Sequence, residues 1–102
     1  MVRTITIQIG NTDNKLTQQE WARFVTDVAD MVMHAGATVH FFGAPPGYES
    51  WQNAAWIIGG DCRADWLRRQ LRALCHNFGQ DSIAWTQGET EFIRGCRNDH
   101  SR

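Results

Sequence analysis

The stretch WQNAAWIIGGDCRADWLRRQLRALCHNFGQDSIAWT, residues 51–86, decides the fold. Trp51 to Ile58 reads as a strand, with Trp51, Asn53, Ala55 and Ile57 facing one way and Gln52, Ala54, Trp56 and Ile58 the other. Asp61 is expected to cap a helix in which Leu67, Leu71, Leu74 and Phe78 form an apolar stripe that stops at Gly79. Ser82 to Thr86 then supplies another strand, and Glu89 to Ile93 reads as its return across a turn at Gln87-Gly88. The unit is strand, helix, strand.

Upstream, the same order occurs first. Val2 to Ile9 alternates, with Ile5, Ile7 and Ile9 on one face and Thr4, Thr6 and Gln8 on the other, the period of a half-buried strand. In GNTDNKLTQQEW, residues 10–21, Thr17 with Glu20 three positions on forms a capping box. Trp21, Phe24, Val25, Val28 and Val32 recur at helical spacing up to His34-Ala35-Gly36, where glycine provides a stop. Ala37 to Phe42 is β-branched and aromatic, and GAPPGYES after it breaks the pattern with two prolines and two glycines. The order is therefore β-α-β-β-α-β: an α+β fold of the ferredoxin-like plan, with two helices on one face of an antiparallel sheet. Residues 1–93 form one domain, and 94–102 a polar, flexible tail.

Composition narrows the class. With 102 residues, 42% hydrophobic and 21% charged, the chain has the make-up of one ordinary globular domain. Ten basic and eleven acidic side chains leave a net charge of −1, so no global field attracts DNA or acidic lipid. Nucleic acid and membrane are not expected partners. Cys62, Cys75 and Cys96 cannot all pair within one chain and form no C-x-x-C motif. That usage, with no apolar run of signal-peptide length, points to a reducing cytoplasm. The spacing of these cysteines and of the four histidines suits no metal, and no cofactor is expected.

Four segments have residues suited to chemistry. Asn11-Thr12-Asp13-Asn14-Lys15 stands between a strand and a helix N-terminus, a place for a polar ligand, though Asx-turns account for Asn11 and Asp13 equally. Gln80-Asp81-Ser82 follows the second helix; no G-x-S-x-G turn surrounds Ser82, so a serine hydrolase is not implied. Tyr48, Trp51, Gln52 and Asn53, next to Pro45-Pro46, combine aromatic walls with amides, which suits either a stacked planar ligand or an interface. Arg63, Arg68, Arg69 and Arg72 on the second helix are opposed there only by Asp65, and read as a solvated face before a phosphate grip. Glu89 and Glu91, two apart on a strand, read as a solvated pair.

The run ALCHNFGQDSIAW, residues 73–85, resembles the helix-to-strand junction of the phage-encoded S-adenosylmethionine lyases. The resemblance implies a ferredoxin-like core, a trimer, and S-adenosylmethionine bound between subunits in a phage counter-defence role, in the cytoplasm of a bacterial host. Where that family places a glutamate, this chain has Asn53, an amide that can hold ribose hydroxyls but cannot act as a base.

Strands with large apolar residues at both parities, such as Val39 and Phe41 against Phe42, or Trp51 against Trp56, imply that the sheet face away from the helices is covered by another copy or a ligand. The expectation is a homo-oligomer, dimer or trimer, that binds a nucleoside or nucleotide-like molecule through Tyr48, Trp51, Gln52, Asn53, Gln80, Asp81 and Ser82, with Asn11 and Asp13 nearby. A lyase-like enzyme and a small inhibitor of a host enzyme are the alternatives. Of the five tryptophans, Trp21 is expected in the core and Trp66 at its boundary, while Trp51, Trp56 and Trp85 are candidates for a functional surface.

Overall fold

The computed structural model describes residues 2–46 and 52–95. Its elements are β1 (Val2–Gly10), α1 (Gln18–His34), β2 (Val39–Gly43), β3 (Asn53–Gly59), α2 (Ala64–Asn77) and β4 (Ala84–Thr90). The strands form one antiparallel sheet in the order β2-β3-β1-β4. This is the ferredoxin-like arrangement that the element order implies.

Parity assigns the faces. Ile5, Ile7 and Ile9 of β1, and Ala54, Trp56 and Ile58 of β3, are buried together with Phe24, Val28 and Val32 of α1 and Leu67 and Leu71 of α2. Each such aliphatic side chain withdrawn from water contributes roughly 1.5–3 kcal/mol. The register sets Ile7 opposite both Trp56 and Trp85, so both tryptophans are on the helix-covered face. Trp56 is 2% exposed and stacks against Phe42, ring centroids 5.0 Å apart. It is core, which corrects its reading as a surface candidate.

The open face is less apolar than expected. Thr4, Thr6 and Gln8 of β1 share it with Ala55, Ile57 and Gly59 of β3 and with Thr86 and Gly88 of β4. Among the described residues its large exposed hydrophobes are Phe41, opposite Ile57, and Val2, in step with Thr4. Two mixed parities in the sequence thus resolve into one closed apolar face and one small-residue face.

Helix boundaries follow local chemistry at α1 and tertiary ties at α2. Thr17 caps α1: its hydroxyl accepts from the Glu20 N–H, and the Glu20 carboxylate accepts from the Thr17 N–H. The helix is released through Gly36, whose φ of +76° is costly for residues with a Cβ. At α2 the cap residue is Arg63, not Asp61, and makes no side-chain capping bond. The approach is held by Gly60 N–H donating to the Arg3 carbonyl and Arg63 N–H donating to that of Ala35, which delays helical geometry until Ala64.

The hairpin expected at Gln87-Gly88 does not form. β1 provides an unbroken partner, so β4 runs straight through, Gly88 opposite Thr4 and Thr90 opposite Val2, with the Thr4 and Thr90 hydroxyls bonded across the pair. Glu91 consequently lies beyond the strand, and the expected Glu89–Glu91 face does not exist. Among the described residues no helix is long and apolar enough to cross a membrane.

Candidate functional site

Two polar regions gather where β1 ends and β3 and β4 begin. Gly10 pairs with Asn53, and Gln8 with Ala84, so the loop Asn11–Thr17 lies beside the starts of both other strands.

Asn11 organises that loop. Its side chain is fully buried; Nδ2 donates to the Leu16 carbonyl (3.0 Å) and to Gln52 Oε1 (2.8 Å), while Oδ1 accepts from the Leu16 N–H (2.9 Å). Its backbone N–H donates to the Gln52 carbonyl at 2.7 Å. Gln52 in turn donates to Gln18 Oε1 at 2.7 Å, which ties α1 to the entry of β3. The amides that invite a ligand in the sequence therefore take one another as partners. Asp13 accepts from the Lys15 N–H, a local turn on the exposed side.

The second region is open. A cleft of about 480 Å³ lies between α2 and the start of β4, lined on the helix side by Arg68, Arg72 and His76 and on the strand side by Ser82, Ile83 and Trp85. Gln80 and Asp81 also line it. Arg68, Arg72 and His76 succeed one another every four residues, and that spacing stacks them along one helix flank. The Arg68 guanidinium stands 5.2 Å from the Trp85 ring centre, a cation–π pair, and the indole N–H donates to Gln87 Oε1.

Cys75 also lines the cleft. Burial first, and then the negative charge of Asp81, push its thiol above the ordinary cysteine value. Its S–H donates to the Gln80 carbonyl, while the Gln80 N–H donates to the Cys75 carbonyl, so the junction after α2 is clamped by its own residues. Gly79, with φ +63°, makes that reversal possible.

The sequence-derived candidates thus divide. Gln80, Asp81 and Ser82 line the cleft; Asn11 and Gln52 join in the neighbouring amide network; Asn53 is exposed at the start of β3. Asp13 and Asp81 are drawn together by Lys15, whose Nζ is 3.7 Å from one and 3.6 Å from the other. Tyr48 and Trp51 lie outside the described residues, as does Cys96. Arg68 and Arg72, which read in the sequence as a solvated helix face first, and Trp85, a functional-surface candidate, line the cleft with His76, which the sequence does not single out as a ligand-binding residue although its four-residue spacing from Arg72 and Arg68 is visible there. Among the described residues no group of three or more His, Cys, Asp or Glu side chains could hold a metal ion.

No protein-family model and no curated protein matches the chain. Solved structures do match in shape. The solution structure of the C-terminal domain of the MgtC protein from Mycobacterium tuberculosis is similar with a TM-score of 0.59 at 12% identity, covering 86% of this chain and 89% of that one. The formyltetrahydrofolate deformylases of Burkholderia mallei (TM-score 0.53, 13% identity) and Pseudomonas syringae pv. tomato (0.56, 12%) match over 86% and 84% of this chain. The chain spans only 28% and 27% of the two deformylases. At such identities the likeness is one of fold, and the fold it supports is the ferredoxin-like α+β sandwich.

Proposed function

We propose that the protein is a small-molecule-binding domain whose ligand is an anion with a flat ring, of the nucleotide kind, held in the cleft between α2 and β4. The observation that carries this reading is the alignment of Arg68 and Arg72 on one helix flank beside the Trp85 indole. Guanidinium groups suit phosphate or carboxylate, an indole face suits a ring, and the hydroxyl and amide groups of Ser82 and Gln80 supply hydrogen bonds for orientation. The cleft volume of about 480 Å³ is that of an ordinary small-ligand pocket. Burial and the charge of Asp81 both favour the thiol form of Cys75 over its thiolate, which supports binding rather than bond cleavage in the cleft. The occurrence of this fold as one domain of MgtC and as about a quarter of two larger enzymes supports a binding module.

The test is calorimetric titration with AMP, ADP and S-adenosylmethionine, with adenosine as the uncharged control. Nucleotides should bind more tightly than adenosine, and Arg72→Ala should weaken them about tenfold or more, the worth of a charge-assisted hydrogen bond, without lowering the melting temperature. Absence of binding at millimolar nucleotide, or affinity indifferent to Arg72→Ala, refutes the proposal. If chromatography showed S-adenosylmethionine consumed and methylthioadenosine formed, the lyase-like reading would replace it.

A further inference from the structure

Arg68 and Arg72 stand one turn apart on the same flank of α2, both exposed and both bordering the cleft, yet their surroundings differ. The Arg68 guanidinium is stacked, its central carbon 5.2 Å from the middle of the Trp85 ring. Among the described residues Arg72 has no aromatic ring of this kind, and neither arginine makes an ion pair. One cation of the cleft is engaged with a ring and the other is not.

Of the stacked pair, Trp85 is the anchored member. It stands opposite Ile7, packs against the core, and donates its indole N–H to Gln87 Oε1 at 2.9 Å. Arg68 is the movable member, a long side chain on an exposed helix flank. A flat ring laid on the indole needs about 3.5 Å of clearance, and a second group over that ring as much again, so the two plates must stand about 7 Å apart. Their present spacing of 5.2 Å is too small. Arg68 therefore covers the indole face that a ligand ring would use, and an outward shift of about 2 Å admits the ring between the two.

We infer that Arg68 is the specificity-determining residue of the cleft: a movable plate that covers Trp85 in the free protein and closes over the ring of the bound ligand, while Arg72 holds the anion. The inference rests on the reading of the cleft as a nucleotide-type site and deepens it. A guanidinium is flat and weakly hydrated, and it stacks on π faces, so a base between Arg68 and Trp85 gains a contact on each side. Its positive charge favours an electron-rich face, such as that of a purine. Leaving the indole loses one cation–π contact, and only a ligand with a flat π face replaces it. A sugar phosphate without a base has nothing to offer Arg68 and is held by Arg72 alone. Selectivity then resides in the base, and charge attraction in the phosphate.

Calorimetric titration with AMP and with ribose 5-phosphate, which keeps the sugar and the phosphate but lacks the base, separates the two roles. Arg68→Lys keeps the charge and removes the flat plate. It should weaken AMP about tenfold, the worth of one stacking contact on a base, and leave ribose 5-phosphate within about twofold. Arg72→Ala should weaken both ligands by a similar factor. Far-ultraviolet circular dichroism should be the same for all three proteins. Equal losses for the two ligands in Arg68→Lys, or no loss for either, would overturn the plate and leave the nucleotide reading in place. Wild-type protein that binds no AMP at millimolar concentration would overturn that reading, and the plate with it.

Discussion

The loop after β1 and the cleft beside β4 are both polar, close together, and built from residues that look ligand-binding or solvated on paper, yet the chain treats them in opposite ways. In the loop, the Asn11 amide is buried and its donors and acceptor are met by Leu16 and Gln52. In the cleft, Arg68 and Arg72 border an open volume beside an aromatic ring. A buried polar group must be satisfied from inside, so its hydrogen bonds are spent on the fold. Groups at the rim of an open cleft retain capacity for something else.

The largest effect should come from breaking the loop. Asn11→Ala strands the Leu16 N–H and carbonyl in a buried place, at a cost of about 3 kcal/mol, and should lower the melting temperature by on the order of 15 °C for a domain of this size. Ligand affinity of the folded fraction should stay the same. If instead Asn11→Ala abolished binding and left the melting curve in place, the two regions would have to exchange roles.

Much of this was legible before any coordinates. The alternation of Ile5, Ile7 and Ile9, the Thr17–Glu20 box and the Leu67–Leu71 stripe each express one local rule, and the structure keeps all three. Gly36 and Gly79 mark helix ends because positive φ is needed there. The misreadings share another cause: each depended on a partner distant in sequence. Asp61 has the chemistry of a cap, but ties from Gly60 and Arg63 to Arg3 and Ala35 set where α2 begins. Gln87-Gly88 has the chemistry of a turn, but β1 is long enough to hold β4 straight. Trp56 could have faced either way, and only the pairing with Ile7 decides its side. The same reasoning explains the cleft. Arg68, Arg72 and His76 could be placed on one flank from spacing alone, but which flank borders β4 is a property of the packed molecule.

A smaller effect should sharpen the contrast from the far side of the loop, at the α1 cap. Thr17→Ala should cost about 1 kcal/mol and leave the cleft untouched. Hydrogen bonds from the Thr17 backbone and hydroxyl, and then the charge of Arg23, hold the Glu20 carboxyl below the ordinary glutamate value. With the folded value depressed, the stabilisation is present above the unfolded value and is lost as pH falls through the folded one. Thermal melts should therefore separate wild type from Glu20→Gln at neutral pH, and the two curves should converge as the pH falls below the ordinary glutamate value. A gap that widened in acid would contradict the cap as the source.

The smallest expected effect bears most directly on whether loop and cleft are one site or two. Lys15 is the ionic link between them, reaching Asp13 in the loop and Asp81 in the cleft lining. Its side chain is 49% exposed and that of Asp81 90%, so solvent and salt screen the pair. Lys15→Ala should cost no more than about 0.5 kcal/mol, a melting shift of a few degrees at most, and even that should vanish in high salt. Nucleotide affinity should remain within about twofold of wild type, since an exposed pair of this kind couples its two sides by no more than about 0.5 kcal/mol. A fall as large as that expected for Arg72→Ala would mean that Asn11, Asp13, Gln80, Asp81 and Ser82 act as the single pocket their grouping in the sequence suggested. The division between a closed loop and an open cleft would then fail at the one residue that spans it.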